Sequence, residues 1–222
     1  MGGELPKQYL QLAGRSVLEH SLRAVLAHPQ VQGAMVATAA DDSLWPGWEA
    51  IEGKPVLHCV GGAERADSVA AALMALATHL QGAEFWALVH DAARPCLRLQ
   101  DLDRLLCACL AAGEGGLLGA PVRDTLKRIE PAALTKGEPA RALGTQPREA
   151  LWRAFTPQLF PASLLAPALA ACAGSVATDE AGAMERAGHQ PLLVEGREDN
   201  LKITTPADLA LAEFLLARGS AG

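Results

Sequence analysis

Aromatic residues are scarce in this chain: four Phe, four Trp and one Tyr among 222 residues. Strands of a sandwich draw heavily on aromatic and β-branched side chains, so an all-β reading is disfavoured. Uninterrupted apolar runs of membrane-spanning length are also lacking, and the opening residues MGGELPKQYL contain no apolar signal core. These absences point to a cytoplasmic protein with no membrane partner. Basic residues do not prevail either. Nineteen Lys and Arg face 25 Asp and Glu, a formal charge of −6, which argues against broad nucleic-acid binding. Five cysteines are too few, too scattered and of the wrong parity for a disulfide framework. Cys107 and Cys109 lie two apart in a helical pattern, so they do not share a face and make poor joint metal ligands.

What remains is rich in Ala, Leu, Gly and Pro and is half apolar, enough for a large buried core. Short apolar runs alternate with longer helical patterns, the rhythm of an α/β sheet protein. Ser16 to Glu19 is a capping box that opens a helix to about Ala27, with Val17, Leu18, Leu22, Val25 and Leu26 inward. Strands are expected at 31–39, 56–60, 85–90, 117–122, 192–195 and 200–203. Helices are expected at 66–80, 99–112, 161–172 and 178–187, with a last one opened by Thr205, Pro206 and Asp208. Residues 123–153 carry charges, prolines and glycines but no apolar period. They read as an arm or hairpin leaving the sheet, since long structureless loops are uncommon inside compact domains. The whole is read as one domain, three-layer α/β/α with a mostly parallel sheet.

Four places carry possible chemistry. HDAARP, His90 to Pro95, directly follows the strand FWALV, where open α/β sheets bind ligands; Asp91 there can hold Mg²⁺ or simply pair with Arg94. GGAERADS, Gly61 to Ser68, is a glycine-bearing strand-to-helix turn whose amides can face an anion, although an ordinary capped turn explains it equally well. Lys7 in PKQYL and Lys202 in DNLKIT are solvated surface lysines on their own evidence. GEGGLLG at 113–119 precedes a strand instead of following one, so it is discarded as a dinucleotide fingerprint.

Taken in order, PKQYL, the Gly61–Gly62 turn with ERADSV, VHDAARP, PVRDTLKR, FTPQLF, TDEA, VEGREDNLKIT and PADLALAE change the reading. The succession resembles the methylerythritol phosphate cytidylyltransferases from Glu4 to Ala217. The resemblance implies a Rossmann-like nucleotidyltransferase fold with a protruding dimerisation arm. It also implies transfer of CMP from CTP to methylerythritol phosphate, dependent on Mg²⁺, in a homodimer. Lys7, Arg148 and Lys202 match the catalytic cations. Gly61, Gly62, Ala63, Arg65, Ala66, Ser68 and Asp91 match nucleotide contacts, with Ala63 standing where some relatives carry Asp. Asp91, Arg94, Thr125, Arg148, Thr156 and Lys202 match substrate contacts, and Asp91 the metal ligand.

Two departures stand out. TQPREALW has Pro where relatives often have Asp near Arg148. Relatives also carry a first strand and a loop of the form A-A-G-x-G-x-R-M before PKQYL, and Met1 falls at that loop's final Met. The expectation is a sheet short of one inner strand of about 5–6 residues, through a start assigned too far downstream or a real truncation. Two rival readings remain: a ribitol 5-phosphate cytidylyltransferase, and a silent dimer serving as a binding or scaffold protein.

Overall fold

The computed structural model describes residues 5–130, 139–172 and 179–219. A single-turn 3-10 helix at Lys7–Tyr9 leads into a small antiparallel pair, β1 (Gln11–Leu12) and β2 (Arg15–Ser16). Helix α1 (Val17–Leu26) then starts where the capping box places it, with the Glu19 amide donating to Ser16 Oγ at 3.1 Å. The five apolar residues expected inward are all buried. Strands β3 (Ala34–Thr38), β4 (Ala50–Ile51) and β5 (Lys54–Val60) form one sheet in the order β3-β5-β4. After them come α2 (Arg65–His79), β6 (Trp86–Val89), α3 (Leu99–Ala112) and β7 (Gly116–Pro121). A hairpin, β8 (Leu126–Arg128) with β9 (Gly144–Gln146), occupies the arm, and part of the arm lies outside the described residues. The chain returns through β10 (Trp152–Pro161), α4 (Ala162–Ala171), α5 (Glu180–Arg186), β11 (Leu192–Glu195) and α6 (Pro206–Gly219).

A second sheet has the order β11-β7-β10-β6. Strand β11 runs parallel to β7, whereas β10 runs antiparallel to both β7 and β6. Strands β3 and β5 are parallel. The carboxyl ends of β5 and β6 meet at the start of α2, where Ser68 bonds Gly62 and Arg65 bonds Asp91. Strands β6, β7 and β11 therefore share one direction that β10 alone opposes, and β3 and β5 share a direction in the other sheet. Side chains alternate across the sheet with the period of two that strands impose. Leu118 and Leu159 face a core shared with α1 and α3, while their neighbours Leu117 and Phe160 face one shared with α2, α4 and α5. Three layers result, as the alternation of runs implies.

Two sequence expectations change. Residues 200–203 are not a strand: the Ile203 amide bonds the Ala93 carbonyl at 2.8 Å and the Asn200 amide bonds Arg197, so the segment is tied to loops instead of to a ladder. Strand β10 was not foreseen, because Pro157 inside FTPQLF argues against an inner strand. The sheet accommodates it where the register shifts between Ala154 and Gln158. Within GEGGLLG, Gly113 ends α3 in the left-handed conformation at φ 68°, and Gly115 and Gly116 serve packing. A Cβ at Gly115 would stand 2.0 Å from Phe160 Cδ1, and one at Gly116 would stand 2.6 Å from the Leu192 carbonyl.

Strand β3 pairs with β5 alone and β6 with β10 alone among the described residues. Their unpaired edges border one cavity of about 1060 Å³, lined on one side by Leu18, Leu22 and Val25 and on the other by Leu73 and Leu76. Backbone groups on such edges bond water instead of a ladder. Amide exchange should therefore be faster in 86–89 than in 116–121, where β7 is paired on both sides. Equal protection of the two segments in exchange mass spectrometry would contradict the open edge.

Candidate active site

The site forms at one mouth of that cavity, where β6 gives way to the HDAARP turn. Asp91 is the centre. Its side chain is 10% exposed, and Oδ1 accepts from Arg65 Nε at 3.1 Å. Its Oδ2 accepts from Arg94 Nε at 3.3 Å and stands 3.0 Å from Lys202 Nζ. Burial would raise the Asp91 pKa, but Arg65, Lys202 and Arg94 outweigh it and hold the value at about 2. Burial likewise opposes the charge on Arg65, and two carboxylates, Glu180 and Asp91, outweigh it so that its pKa is raised. Arg94 goes the other way: burial lowers it, Asp91 offsets only part, and the neighbouring Arg65 adds to the lowering.

A chain of neutral hydrogen bonds holds the turn beneath this carboxylate. His90 Nε2 lies 3.0 Å from the Arg94 carbonyl, which can only accept, so Nε2 carries the proton. Nδ1 is then an acceptor and takes the Thr156 hydroxyl at 3.1 Å, while Thr156 Oγ1 accepts the Asp91 amide at 3.0 Å. Burial pushes the His90 pKa down to about 4, which keeps the ring neutral as these bonds require. Arg94 Nη1 also donates to the Asn200 carbonyl at 2.7 Å, and Asn200 Nδ2 to the Thr156 carbonyl at 2.8 Å. This network fixes the segment that carries Lys202.

The Gly61–Ser68 turn lies beside Asp91. The Gly61 amide closes onto the Thr38 carbonyl at 2.7 Å, and Ser68 Oγ accepts the Gly62 amide at 3.1 Å. A Cβ on Gly62 would stand 2.2 Å from Asp67 Cβ, so glycine is needed for close approach. Ala63 is exposed on the turn, and Ala66 packs on the second core. Glu64 and Asp67 cap α2 reciprocally. Lys7, Arg65, Ser68, Asp91 and Lys202 all line the cavity. The Lys7 ammonium makes no hydrogen bond or ion pair among the described residues.

Other sequence-predicted residues stand elsewhere. Thr156 is 4% exposed and its hydroxyl is committed to Asp91 and His90, so it acts on the site through the turn. Thr125 and Arg148 are exposed at the base of the hairpin and do not line the cavity; Arg148 Nη1 bonds the Arg123 carbonyl. Sequence reasoning missed Glu180, which is fully buried and holds both terminal nitrogens of Arg65. An acid in the first turn of a helix is ordinary, and that ordinariness concealed it. No cluster of three His, Cys, Asp or Glu side chains suited to a metal occurs among the described residues. The cysteines stay apart from this chemistry: Cys107 is exposed, Cys109 buried, and burial raises the Cys109 thiol to about 11.

Comparison with solved proteins places the fold. It aligns with a 4-diphosphocytidyl-2C-methyl-D-erythritol synthase at TM-score 0.83 and 38% identity, covering 95% of this chain and 94% of that one. It aligns with the 2-C-methyl-D-erythritol 4-phosphate cytidylyltransferase of Thermus thermophilus at TM-score 0.75 and 35% identity, covering 96% and 94%. The class is thus that of the α/β nucleotidyltransferases. A family model for 2-C-methyl-D-erythritol 4-phosphate cytidylyltransferase matches residues 1–218. The protein of that name from Stenotrophomonas maltophilia (strain R551-3) is 56% identical over 219 residues, 98% of this chain and 91% of the relative. One from Xanthomonas oryzae pv. oryzae (strain PXO99A) is 55% identical, over 98% of this chain and 78% of the relative. The chain belongs to the 2-C-methyl-D-erythritol 4-phosphate cytidylyltransferase family.

The His90 geometry carries a pH signature. Burial pushes the folded ring down to about 4, against an ordinary 6.5. As pH falls through the ordinary value, the unfolded chain gains a proton that the folded chain refuses. Stability should therefore decline from about pH 6.5 to about 4 and then lose this contribution's slope. Chemical denaturation across that range should show the decline, and His90→Gln should flatten it while lowering stability at pH 8. An unchanged slope in the variant would remove His90 as its source.

Proposed function

We propose that the protein transfers the cytidylyl group of CTP to 2-C-methyl-D-erythritol 4-phosphate and releases pyrophosphate, a step in non-mevalonate isoprenoid precursor synthesis. The observation that carries this reading is Asp91, ringed by Arg65, Arg94 and Lys202 at a strand end beside a glycine turn. Family membership supports the substrates. An oxygen of the methylerythritol phosphate attacks the α-phosphorus, and the bond from that phosphorus to the bridging oxygen of pyrophosphate breaks. Both reactants are anions, so the chain's task is positioning and charge neutralisation. The Gly61–Ser68 turn receives the nucleoside, with Arg65 anchoring the start of α2. Lys7, whose ammonium has no protein partner among the described residues, neutralises the nucleotide phosphates. Lys202 and Arg94 receive the alcohol phosphate, with Thr156 keeping the Asp91 turn in place.

The same reading extends to assembly and metal. Thr125 and Arg148, standing outside the cavity on the hairpin base, act in the site of a second subunit across a homodimer formed by the arm. Asp91 fits a divalent cation as its single protein ligand: Oδ1 accepts one N–H and retains a lone pair, and the low pKa keeps it ionised. A Mg²⁺ held by Asp91 would supply charge neutralisation for the leaving pyrophosphate. The compartment in this reading is the cytoplasm; among the described residues no helix is long and apolar enough to cross a membrane.

Pyrophosphate release from CTP with methylerythritol phosphate tests the reaction. Ribitol 5-phosphate as the preferred acceptor would overturn the substrate assignment. Asp91→Asn takes the counter-ion from Arg94 and Lys202 and leaves Arg65 with Glu180 alone, so it should lower both the melting temperature and the rate at any Mg²⁺ concentration. Wild-type turnover in that variant would remove Asp91 from the site. Lys202→Ala and Arg148→Ala should each cost about 1.5–3 kcal/mol of transition-state binding, expressed on the alcohol phosphate and not on CTP. Mixing Arg148→Ala with Lys7→Ala should regenerate one intact site per heterodimer. No recovered activity after demonstrated subunit exchange would refute the shared site.

A further inference from the structure

Glu180 is the buried acid that the reaction scheme leaves without a task. It is 0% exposed, on the first residue of α5, and makes a two-point contact with Arg65: Nη1 to Oε1 at 2.6 Å and Nη2 to Oε2 at 3.0 Å. The remaining donor on that side of the guanidinium, Nε, goes to Asp91 Oδ1 at 3.1 Å. Arg65, which lines the cavity, is thereby held by three of its five N–H groups. The anchor is itself fixed. Gln158 of β10 accepts the Ala181 amide at 2.8 Å and donates to Asp179 Oδ2 at 2.9 Å, and Asp179 Oδ1 accepts the Gly182 amide at 2.9 Å. The start of α5 is thus clamped to the strand whose Thr156 holds the Asp91 amide.

A fully buried carboxylate is costly to desolvate, and replacing a buried ion pair by apolar groups is often neutral or stabilising. Stability alone therefore gives little reason for this arrangement, whereas orientation gives one. We propose that Glu180 is a positioning residue: by holding both terminal nitrogens of Arg65 it fixes the guanidinium so that Nε orients Asp91, tying the nucleotide turn to the catalytic loop. The functional half rests on the assignment of Asp91 and Arg65 given above; the structural half can be tested on the free protein.

The mobility of one guanidinium decides it. In the ligand-free protein Arg65 should give a slowly exchanging Nε–H signal in nitrogen-15 spectra, because Nε is bonded to Asp91 and both terminal nitrogens to Glu180. In Glu180→Gln that signal should exchange faster; an unchanged signal overturns the proposal. Should Glu180→Gln not fold cooperatively, Glu180→Asp decides: it keeps the charge but is too short for the two-point contact, so faster exchange should persist in smaller measure, and a wild-type signal overturns the proposal. In turnover, Glu180→Gln should raise KM for CTP about tenfold and leave KM for the alcohol phosphate within twofold. Equal rises in both would mark a merely structural role and overturn the proposal. Loss of the wild-type reaction itself would count against the reaction scheme and leave the Arg65 signal to judge Glu180.

Discussion

One carboxylate holds separate parts of this molecule in register. Arg65 comes from the start of α2, Arg94 from the turn after β6 and Lys202 from the segment before α6, and all three meet on Asp91. Without that anion, three cations would repel one another in a half-buried space where water screens them poorly. With it, and with Glu180 behind Arg65, three cations face two carboxylates, and Lys7 adds a further cation to the same cavity. A chain of net charge −6 thereby concentrates cations at one mouth of one cavity. That is a setting for small anions and not for polyanions, whose binding needs an extended basic surface.

The fold serves this cluster through direction. Strands β5 and β6, one from each sheet, both end beside the start of α2, so their following turns are adjacent although separated by a whole helix in sequence. Strand β10 runs the other way and brings Thr156 to the Asp91 amide and Gln158 to the start of α5. Its antiparallel course places one buried polar residue under each of the two carboxylates. The neutral path through Thr156 and His90 is compatible with an ionised Asp91 above it, because it adds hydrogen bonds without adding a charge.

The arm follows a different logic. The hairpin of β8 and β9 is exposed along β8, and the residues that resemblance assigns to the alcohol phosphate, Thr125 and Arg148, stand outside the cavity. Among the described residues β8 and β9 pair with each other, and it is the homodimer proposed above that would carry Thr125 and Arg148 to a neighbouring site.

Much of the architecture was legible in the sequence, because amphipathic period and capping are local. The helix at 99–112 and the strand at 192–195 carry their own bounds, and Ser16 with Glu19 announced α1. HDAARP and the Gly61–Gly62 turn were legible as site elements for the same reason: a charged or glycine-bearing break directly after an apolar strand. Strand β10 was not, since Pro157 disfavours a ladder locally and the neighbours β6 and β7 supply the pairing that overrides it. Residues 200–203 had a strand's pattern but found loop partners. Local chemistry along the chain thus determined most of the helices, strands and turns and which residue types could handle phosphate. The pairing of Asp91 with Arg94, three residues on, was within its reach. Only the tertiary structure decided that Arg65 and Lys202 join them, that Glu180 holds Arg65, and that Thr156 serves the turn, because these contacts join residues 26 to 115 positions apart, beyond the reach of any local pattern.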